Sequence, residues 1–267
     1  MTNQPQLTDC TLDLEDGVAT LTLNRHDVRN AVTGTAIIDD IIAVTDWINR
    51  DQNVKVMVVT GAGSAFCAGG NVKDMAERGP EFSGNPHQIA ERYRSGVQRL
   101  PIAMHACEAP VIAAVNGAAV GAGFDLMNMC DMRLISTKAK MGETFVNLGL
   151  IPGDGGAWFM QRLIGYQRAA ELSFTGRTIT AAEALEFGIA LEVLEPEHLL
   201  PRAQELARDM ASKPTTALRL TKRMLKMAQR TELKDFLDMC AIFQGVCHDD
   251  DDHMVAITQM LERISSK

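Results

Sequence analysis

Two glycine-rich turns carry the most chemistry in this sequence. The first, Phe66–Val72 (FCAGGNV), follows the apolar run Val54–Val59, and the second, Asn116–Asp125 (NGAAVGAGFD), follows Val111–Val115. Each pattern predicts a strand, a tight turn of small residues and the start of a helix. Because the first N–H groups of a helix have no partner within it, they can hold an anion or a developing oxyanion. Two such turns predict a pair of backbone donors that converge on one carbonyl oxygen.

Alternating strands and helices surround these turns. Thr11–Glu15 and Val18–Leu23 alternate polar and apolar residues around Asp16-Gly17, which predicts a hairpin. Apolar residues at helical spacing predict a helix over Thr33–Asn49. The other strands expected before residue 155 are 54–60, 111–115 and 132–136, and the other helices are 89–107 and 124–129. A loose strand–strand–helix theme therefore runs through the first part of the chain.

Helices dominate the sequence after Gly155. The expected segments are 158–163, 168–174, 181–187, 197–212, 214–229, 232–247 and 253–265. We predict an α/β fold with a core over residues 1–200 and a helical C-terminal region over residues 201–267. The polar, Gly- and Pro-containing stretch Gly79–Pro86 predicts a surface loop near the first turn.

The composition excludes several classes of partner. Lysine and arginine total 26 against 34 aspartate and glutamate, a net charge of −8 that argues against a nucleic-acid groove. No apolar stretch reaches the roughly 20 residues that span a bilayer. The polar segment Met1–Asp9 lacks the apolar region of a signal peptide. We therefore expect a cytoplasmic protein that binds neither nucleic acid nor membrane.

The six cysteines form no CxxC pair and show no zinc-ligand spacing, so we expect them to be reduced. Cys67 lies in the first glycine-rich turn, where a small residue filling a tight place is favoured over a nucleophile. The acidic run Asp249–Asp252 lacks the spacing of a calcium loop and is typical of a solvated helix start. We expect no metal site.

Four motifs in order resemble the crotonase superfamily, also called the enoyl-CoA hydratase/isomerase family. They are FCAGGNVKDM, NGAAVGAGFDL, LGLIPGDGG and ELSFTGRTITAAEALEFGIALEVL, and the resemblance extends from Leu12 to about Leu225. It implies a crotonase-like spiral of ββα units and an enzyme of fatty acid metabolism that stabilises a thioester enolate. Coenzyme A enters as part of the acyl-CoA substrate, and no tightly bound cofactor is implied.

The same resemblance assigns the groups that bind the thioester. The oxyanion donors are the N–H groups of Ala68 and Ala122, the second standing where the family usually has glycine. The residues implied in coenzyme A binding are Arg25 and Arg29, after the second strand, and Ala65, Asn71 and Lys73, around the first turn. Arg29 and Lys73 could screen phosphates or be solvated surface cations.

The carboxylates decide the reaction. Typical hydratases of this family hold a water between two glutamates, but here the first position is Asp125 and the second is Phe145, which cannot transfer a proton. Besides Asp125, two acids could compensate. Asp154 lies near the place where some isomerases and dehalogenases carry an acid, and Glu143 would share a strand face with Phe145 if that segment were extended. The structural alternatives are a helix N-cap for Asp154 and a hydrogen bond to a neighbouring turn for Asp125.

Large side chains are expected to shape the acyl pocket and the subunit interface. Met75, Phe145 and Trp158, with Phe82, are the pocket candidates. The family forms trimers, often paired as hexamers, so we expect a homotrimer or a dimer of trimers. The apolar faces of Leu218–Met227 and Phe236–Phe243 fit such an interface, and core packing explains them equally well.

Three functions remain open from the sequence. The first is hydration of a 2-enoyl-CoA by Asp125 with Asp154 or Glu143. The second is isomerisation by one carboxylate, or decarboxylation or hydrolysis of an acyl-CoA, which the apolar Phe145 favours. The third is a protein that binds acyl-CoA without turning it over.

Overall fold

The computed structural model describes residues 3–266, so the ends of the two predicted regions, residues 1–2 and 267, lie outside the described residues. The strands are β1 Cys10–Glu15, β2 Val18–Leu23, β3 Val56–Gly61, β4 Ala65–Cys67, β5 Val111–Val115, β6 Ala118–Val120, β7 Met132–Ser136, β8 Lys140–Gly142, β9 Ile179–Thr180 and β10 Glu192–Leu194. The helices are α1 Ile37–Arg50, α2 Val72–Ala76, α3 Pro86–Ser95, α4 Arg99–Ala106, α5 Ala122–Met129, α6 Gly156–Ile164, α7 Tyr166–Thr175, α8 Ala181–Glu186, α9 Pro196–Ala211, α10 Thr215–Ala228, α11 Leu233–Asp249 and α12 Asp251–Ser265.

Two sheets build the core. The larger has the strand order β1-β2-β3-β5-β7-β10, and the smaller has the order β4-β6-β8-β9. Successive strands alternate between them, because β3, β5 and β7 run parallel in the larger sheet while β4, β6 and β8 run parallel in the smaller. The chain thus winds as a spiral of ββα units, which confirms the predicted fold class.

The N-terminal hairpin forms as the sequence predicts. Strands β1 and β2 pair antiparallel, and both turn residues, Asp16 and Gly17, have positive φ angles of 50° and 78°. Aspartate and glycine tolerate the left-handed region that a two-residue hairpin turn requires. Strand β2 then pairs in parallel with β3 and joins the hairpin to the core.

Helix α1 begins at Ile37 rather than at Thr33 as the pattern predicts. The Val32 N–H donates to the Gly69 carbonyl at 2.9 Å, and Thr33 Oγ1 accepts the Asn71 N–H at 2.7 Å. These bonds hold the chain before α1 against the first glycine-rich turn. Gly34, with a positive φ of 69°, lies outside the right-handed helical region, so the helix begins after it.

The predicted helix over residues 89–107 is two helices in the structure. The Gly96 N–H donates to the Arg92 carbonyl and ends α3, and the backbone of Gly96 (φ −111°, ψ −108°) lies outside the helical region. Apolar periodicity alone does not show this break, because the residues on both sides remain compatible with a helix. The break brings Tyr93, Gly96 and Val97 to the wall of the cavity described below.

Helix α9 covers the outer face of the larger sheet. Its buried residues Leu199, Ala203, Ala207 and Ala211 follow a spacing of four and pack against apolar side chains of β3, β5 and β7. Residue 200, where we placed the division between core and C-terminal region, lies inside this helix. The core packing therefore continues to Ala211.

The last two helices, α11 and α12, bury none of their described residues. Their exposed apolar side chains include Leu233, Leu237, Ile242, Met260 and Leu261, each more than half exposed. Within residues 3–266, no helix combines the length and apolar character needed to cross a membrane.

Candidate active site

The first glycine-rich turn joins β4 to α2. Asn71 caps α2 by accepting the Lys73 N–H on its side chain, and Gly69 has a positive φ of 80°. The Ala68 N–H donates to the Arg29 carbonyl at 3.0 Å. The expectation of a free donor at Ala68 is therefore wrong, because this N–H already has a backbone partner.

The free donor of this turn is the N–H of Gly70. Within residues 3–266, neither the Gly70 N–H nor the Ala122 N–H has an acceptor. Both residues line the same cavity, and Ala122 is the first residue of α5. In the sequence, the pair Gly69-Gly70 indicates a turn with free N–H groups. The pair does not show which N–H of the turn is hydrogen-bonded to the loop that contains Arg29.

Glycine brings the two turns into contact. A Cβ atom at Gly69 would lie 2.4 Å from the Val120 carbonyl oxygen and 3.1 Å from the Ala122 nitrogen. A Cβ atom at Gly123 would lie 1.9 Å from the Cys67 carbonyl oxygen. Side chains at these positions would separate the turns, so their absence places the Gly70 and Ala122 donors at one site.

The cavity at this site has a volume of about 320 Å³. Its apolar wall includes Met75, Phe82 and Phe145. The remaining lining residues are Val32, Thr33, Thr35, Ile38, Asp39, Gly70, Glu81, Arg92, Tyr93, Ser95, Gly96, Val97, Arg99, Ala122, Leu150, Gly153 and Asp154. Both free N–H donors and a carboxylate thus face one mainly apolar space, as a small-molecule site requires.

Trp158 does not belong to this cavity, contrary to the sequence prediction. Its ring packs edge-on against His105 and Phe159, with centroids 5.4 and 4.8 Å apart, and the Arg162 guanidinium lies 3.9 Å from its centroid. The left-handed turn at Gly155 (φ 100°) begins α6 and directs Trp158 to this other surface.

Asp154 is the buried carboxylate of the cavity wall, which the exposed Asp39 and Glu81 also line. Its side chain is buried, and neither oxygen has a hydrogen-bond partner in the described part of the chain. The N-cap of α6 is Gly155, without a side-chain hydrogen bond, so the alternative role of Asp154 as a helix cap is wrong. Burial raises the pKa of Asp154 above its ordinary value.

Asp125 lies behind Asp154 and is fully buried on α5. No backbone N–H or other donor of residues 3–266 bonds its carboxylate, so the alternative of a hydrogen bond to a neighbouring turn is wrong. Burial, followed by the nearby charges of Asp154 and Glu143, raises the pKa of Asp125 well above its ordinary value. Each negative charge of this group of acids opposes the ionisation of the others.

Glu143 is the third member of this buried acid cluster. It follows the end of β8, whereas Phe145 begins a 3-10 turn over Phe145–Leu148. The segment is therefore not extended, and Glu143 and Phe145 do not share the strand face that an extended segment would have given them. The Ser173 hydroxyl donates to Glu143 Oε2. Burial raises the pKa of Glu143 above its ordinary value, while the bond from Ser173 opposes that shift. Glu143 lines a second cavity rather than the first.

The residues expected around coenzyme A lie near the first turn, but some of them already have hydrogen-bond or ion-pair partners within the protein. Arg25 pairs with Asp27 at 2.9 Å and with Asp9 at 3.3 Å. Arg29 and Lys73 are exposed cations. The Ala65 carbonyl accepts the Asn30 amide at 2.9 Å, and the Asn71 side chain is engaged as the helix cap.

Cys67 is fully buried beneath this turn, as a small residue in a tight place is expected to be. Burial raises the pKa of its thiol to about 12. The thiol therefore stays protonated and is not a nucleophile at neutral pH.

Known proteins share this architecture. The model of the enoyl-CoA hydratase/isomerase family matches residues 13–266. A short-chain-enoyl-CoA hydratase of Clostridium acetobutylicum is 31% identical, with 97% of this chain and 96% of the relative aligned. A 1,2-epoxyphenylacetyl-CoA isomerase of Escherichia coli is 32% identical over 94% of this chain and 95% of its own. The crystal structure of an enoyl-CoA hydratase from Bacillus anthracis superimposes with a TM-score of 0.88 at 31% identity, covering 96% of this chain and 97% of that one.

A spiral of ββα units with two backbone donors at one cavity defines an enzyme of the crotonase superfamily. The chain belongs to its enoyl-CoA hydratase/isomerase family.

Proposed function

We propose that this enzyme adds water to the double bond of a 2-enoyl-CoA thioester. The observation that carries the proposal is the meeting of two free N–H groups, on Gly70 and Ala122, with the Asp154 carboxylate in one cavity. Donors of this kind stabilise an oxyanion by about 3–4 kcal/mol each when they are held in place before the reaction. The relatives named as enoyl-CoA hydratases support the same reaction.

The acid pair supplies the proton transfers. Burial raises the pKa of both Asp125 and Asp154; the charge of Asp154 raises that of Asp125 further, whereas a hydrogen bond from a protonated Asp125 lowers that of Asp154. We therefore assign the shared proton to Asp125 and the role of base to Asp154. Asp154, which lines the cavity, takes a proton from water as the water oxygen bonds to Cβ, and the electrons of the double bond move onto the thioester oxygen. Asp154 then delivers a proton to Cα and the carbonyl re-forms, while the buried Asp125 stays behind it as its proton-sharing partner. The paired aspartates thereby replace the two glutamates of typical hydratases.

Coenzyme A is proposed to bind as part of the substrate, with no resident cofactor. Arg29 and Lys73 are exposed near the first turn and can meet phosphates, whereas Arg25 is already paired with two aspartates. We place the enzyme in the cytoplasm and in fatty acid metabolism, and we propose a trimer or a dimer of trimers, since the family assembles in that way.

The test is mass spectrometry of but-2-enoyl-CoA after incubation with pure enzyme in D2O. Hydration increases the product mass by one D2O. A product that gains deuterium without D2O addition, with its double bond moved, would replace hydration by isomerisation. Binding without any change in mass would overturn the enzymatic proposal for this substrate.

Isomerisation is the second candidate because Phe145 stands on the cavity wall. This side chain excludes the second water-holding carboxylate, and only Asp154 of the three acids lines the cavity. One carboxylate that removes a proton at Cγ and returns it at Cα is enough to move a double bond. Incubation of but-3-enoyl-CoA with the enzyme distinguishes this activity by formation of the conjugated isomer.

A further inference from the structure

The buried acid cluster contains one group that the proposed reaction does not use. Glu143 is 1% exposed, and its Oε1 has no hydrogen-bond partner within residues 3–266. Buried polar atoms in native proteins are nearly always satisfied. A third buried carboxyl beside two others therefore requires an explanation.

The cluster lies between two cavities. Asp154 lines the substrate cavity, whereas Glu143 and Ser173 line a second cavity of about 280 Å³. Phe145 and Leu150 contribute to both walls and lie between the two spaces. Tyr166 and Phe174, on the wall of the second cavity, are 72% and 73% exposed, so this cavity opens at the surface.

Asp125 links the two ends. Its carboxylate is fully buried against Gly156, two residues after Asp154, and both Asp154 and Glu143 act on it to raise its pKa. The Ser173 hydroxyl continues the series through its bond to Glu143 Oε2. The order from the substrate cavity outward is thus Asp154, Asp125, Glu143 and Ser173.

We propose that these four residues form a proton relay that connects the substrate cavity with the second cavity. The inference rests on the proposed acid–base function of Asp154. Glu143 and Ser173 are positioning residues in this relay, since they act on the substrate only through the aspartate pair.

Each transfer in the relay breaks one O–H bond and forms another, so no oxidant or reductant is needed. When Asp154 removes an α-proton, the C–H electrons become the enolate and the proton resides on Asp154. That proton leaves through Asp125 and Glu143 as a solvent proton enters by the same groups. The enolate then takes up the solvent-derived proton at Cα.

The surroundings keep the proton within the cluster. Tyr93 and Cys67 are the other titratable groups close to Asp154, and burial raises the pKa of both, so they remain neutral. Glu81 acts on Tyr93 from the same side. The groups that shift the pKa of the three acids are one another and Ser173, and no lysine or arginine of the described chain is among them.

The test is deuterium uptake at Cα of butanoyl-CoA, a saturated thioester, by the intact enzyme in D2O. Glu143→Gln keeps the size of the side chain but cannot pass a proton, so we expect uptake to fall by about tenfold or more. Ser173→Ala should reduce uptake as well, and Ser173→Thr should restore it. The matched control is Thr175→Ala, which removes an exposed hydroxyl of the same helix that bonds only backbone groups, donating to the Glu171 carbonyl and accepting the Arg177 N–H.

The pH profile of this exchange supplies a second readout. Loss of the Glu143 charge removes one cause of the raised pKa of Asp125, so the alkaline limit of activity should move to lower pH in Glu143→Gln. Unchanged uptake and an unchanged pH profile in both Glu143→Gln and Ser173→Ala would overturn the relay. If Glu143→Gln does not fold, the Ser173→Ala and Ser173→Thr pair decides the question.

Failure of the relay and failure of the proposed function give different results. If the wild-type enzyme exchanges the α-hydrogens of butanoyl-CoA but hydrates no 2-enoyl-CoA, the hydratase proposal is refuted. The relay is then still tested by the effect of Ser173→Ala on deuterium uptake. A wild-type enzyme that hydrates but-2-enoyl-CoA yet exchanges no α-hydrogen overturns the relay and leaves hydration standing.

Discussion

The two aspartates of the acid pair occupy unequal positions. Asp154 lines the substrate cavity, while Asp125 is fully buried and its carboxylate lies against Gly156, where a Cβ atom would be 2.2 Å from Oδ1. Asp154 is therefore the group that can touch the substrate, and Asp125 adjusts and exchanges its proton. The side chain of Asp125 is short and does not line the cavity, whereas that of Asp154 does.

Asp154→Asn should lower kcat by about 100-fold or more, the range expected for loss of a general acid–base group. KM should change little, because the cavity and its N–H donors remain. Steady-state kinetics with but-2-enoyl-CoA provide the measurement. Asp46→Asn, on the exposed face of α1, is the control. A variant with kcat within twofold of wild type would remove Asp154 from the mechanism.

Asp125→Asn should stabilise the protein at neutral pH. A carboxyl whose pKa is higher in the folded state adds stability below its unfolded pKa, about 3.9, and loses it as pH rises through the folded value. Removal of the ionisable group should therefore raise the free energy of unfolding at pH 8 by on the order of 1–3 kcal/mol, and by nothing comparable at pH 4. Urea unfolding at both pH values tests this. An equal effect at the two pH values would contradict it.

Phe145→Ala should change acyl-chain preference. The ring lines both the substrate cavity and the second cavity, as Leu150 also does, so its removal should open a passage between two mainly apolar spaces of about 320 and 280 Å³. We expect kcat/KM for decenoyl-CoA relative to but-2-enoyl-CoA to rise at least fivefold, since burial of each CH2 contributes about 0.8 kcal/mol. Leu148→Ala, on the exposed part of the same turn, is the control. An unchanged ratio would show that the wall does not limit chain length.

At the scale of elements, the sequence predicts strands and turns correctly where neighbouring residues determine the local structure. The Asp16-Gly17 hairpin and the strand Val111–Val115 formed as expected, because turn residues and apolar runs act locally. The free donor at Gly70 was not predictable, since it depends on the bond between Ala68 and Arg29, far apart in sequence. The position of Trp158 outside the cavity was likewise not predictable, since its ring packs against His105, which is far away in sequence.

The contact of α5 with β4 predicts a costly substitution. In Gly123→Ala the new Cβ would lie 1.9 Å from the Cys67 carbonyl oxygen, so α5 must shift away from the first turn. We expect the protein to lose about 2–4 kcal/mol of stability, comparable to other overpacked cores, together with activity. Thermal unfolding is the measurement. Gly245→Ala, in α11 with open space around it, should be stabilising by up to about 1 kcal/mol.

At the scale of the whole molecule, the C-terminal helices are the least covered part of the chain. The core packing extends into α10, where Leu218 packs against it, whereas α11 and α12 bury none of their described residues and expose several large apolar side chains. Such a surface is typical of an interaction site. It is consistent with the family's assembly as trimers, which stays a prediction for this chain.

Light scattering coupled to size exclusion tests that assembly. We expect a mass of three or six times the 29.1 kDa chain. Leu237→Asp and Ile242→Asp, which place charge on the exposed face of α11, should lower the observed mass. Ser265→Asp, a polar change near the end of α12, should not. A monomeric wild-type protein at micromolar concentration would contradict the prediction.

The reactivity of the cysteine thiols can show whether α11 is covered by another subunit. Four cysteines are buried, and the two that are partly accessible, Cys240 and Cys247, both lie on α11. A brief treatment with an alkylating reagent should therefore mark α11 first in the native protein. If subunits pack over this helix, dilution of the protein below the dissociation constant of the assembly would expose both thiols and increase their rate of alkylation. The alkylation rate would then measure assembly without a substrate.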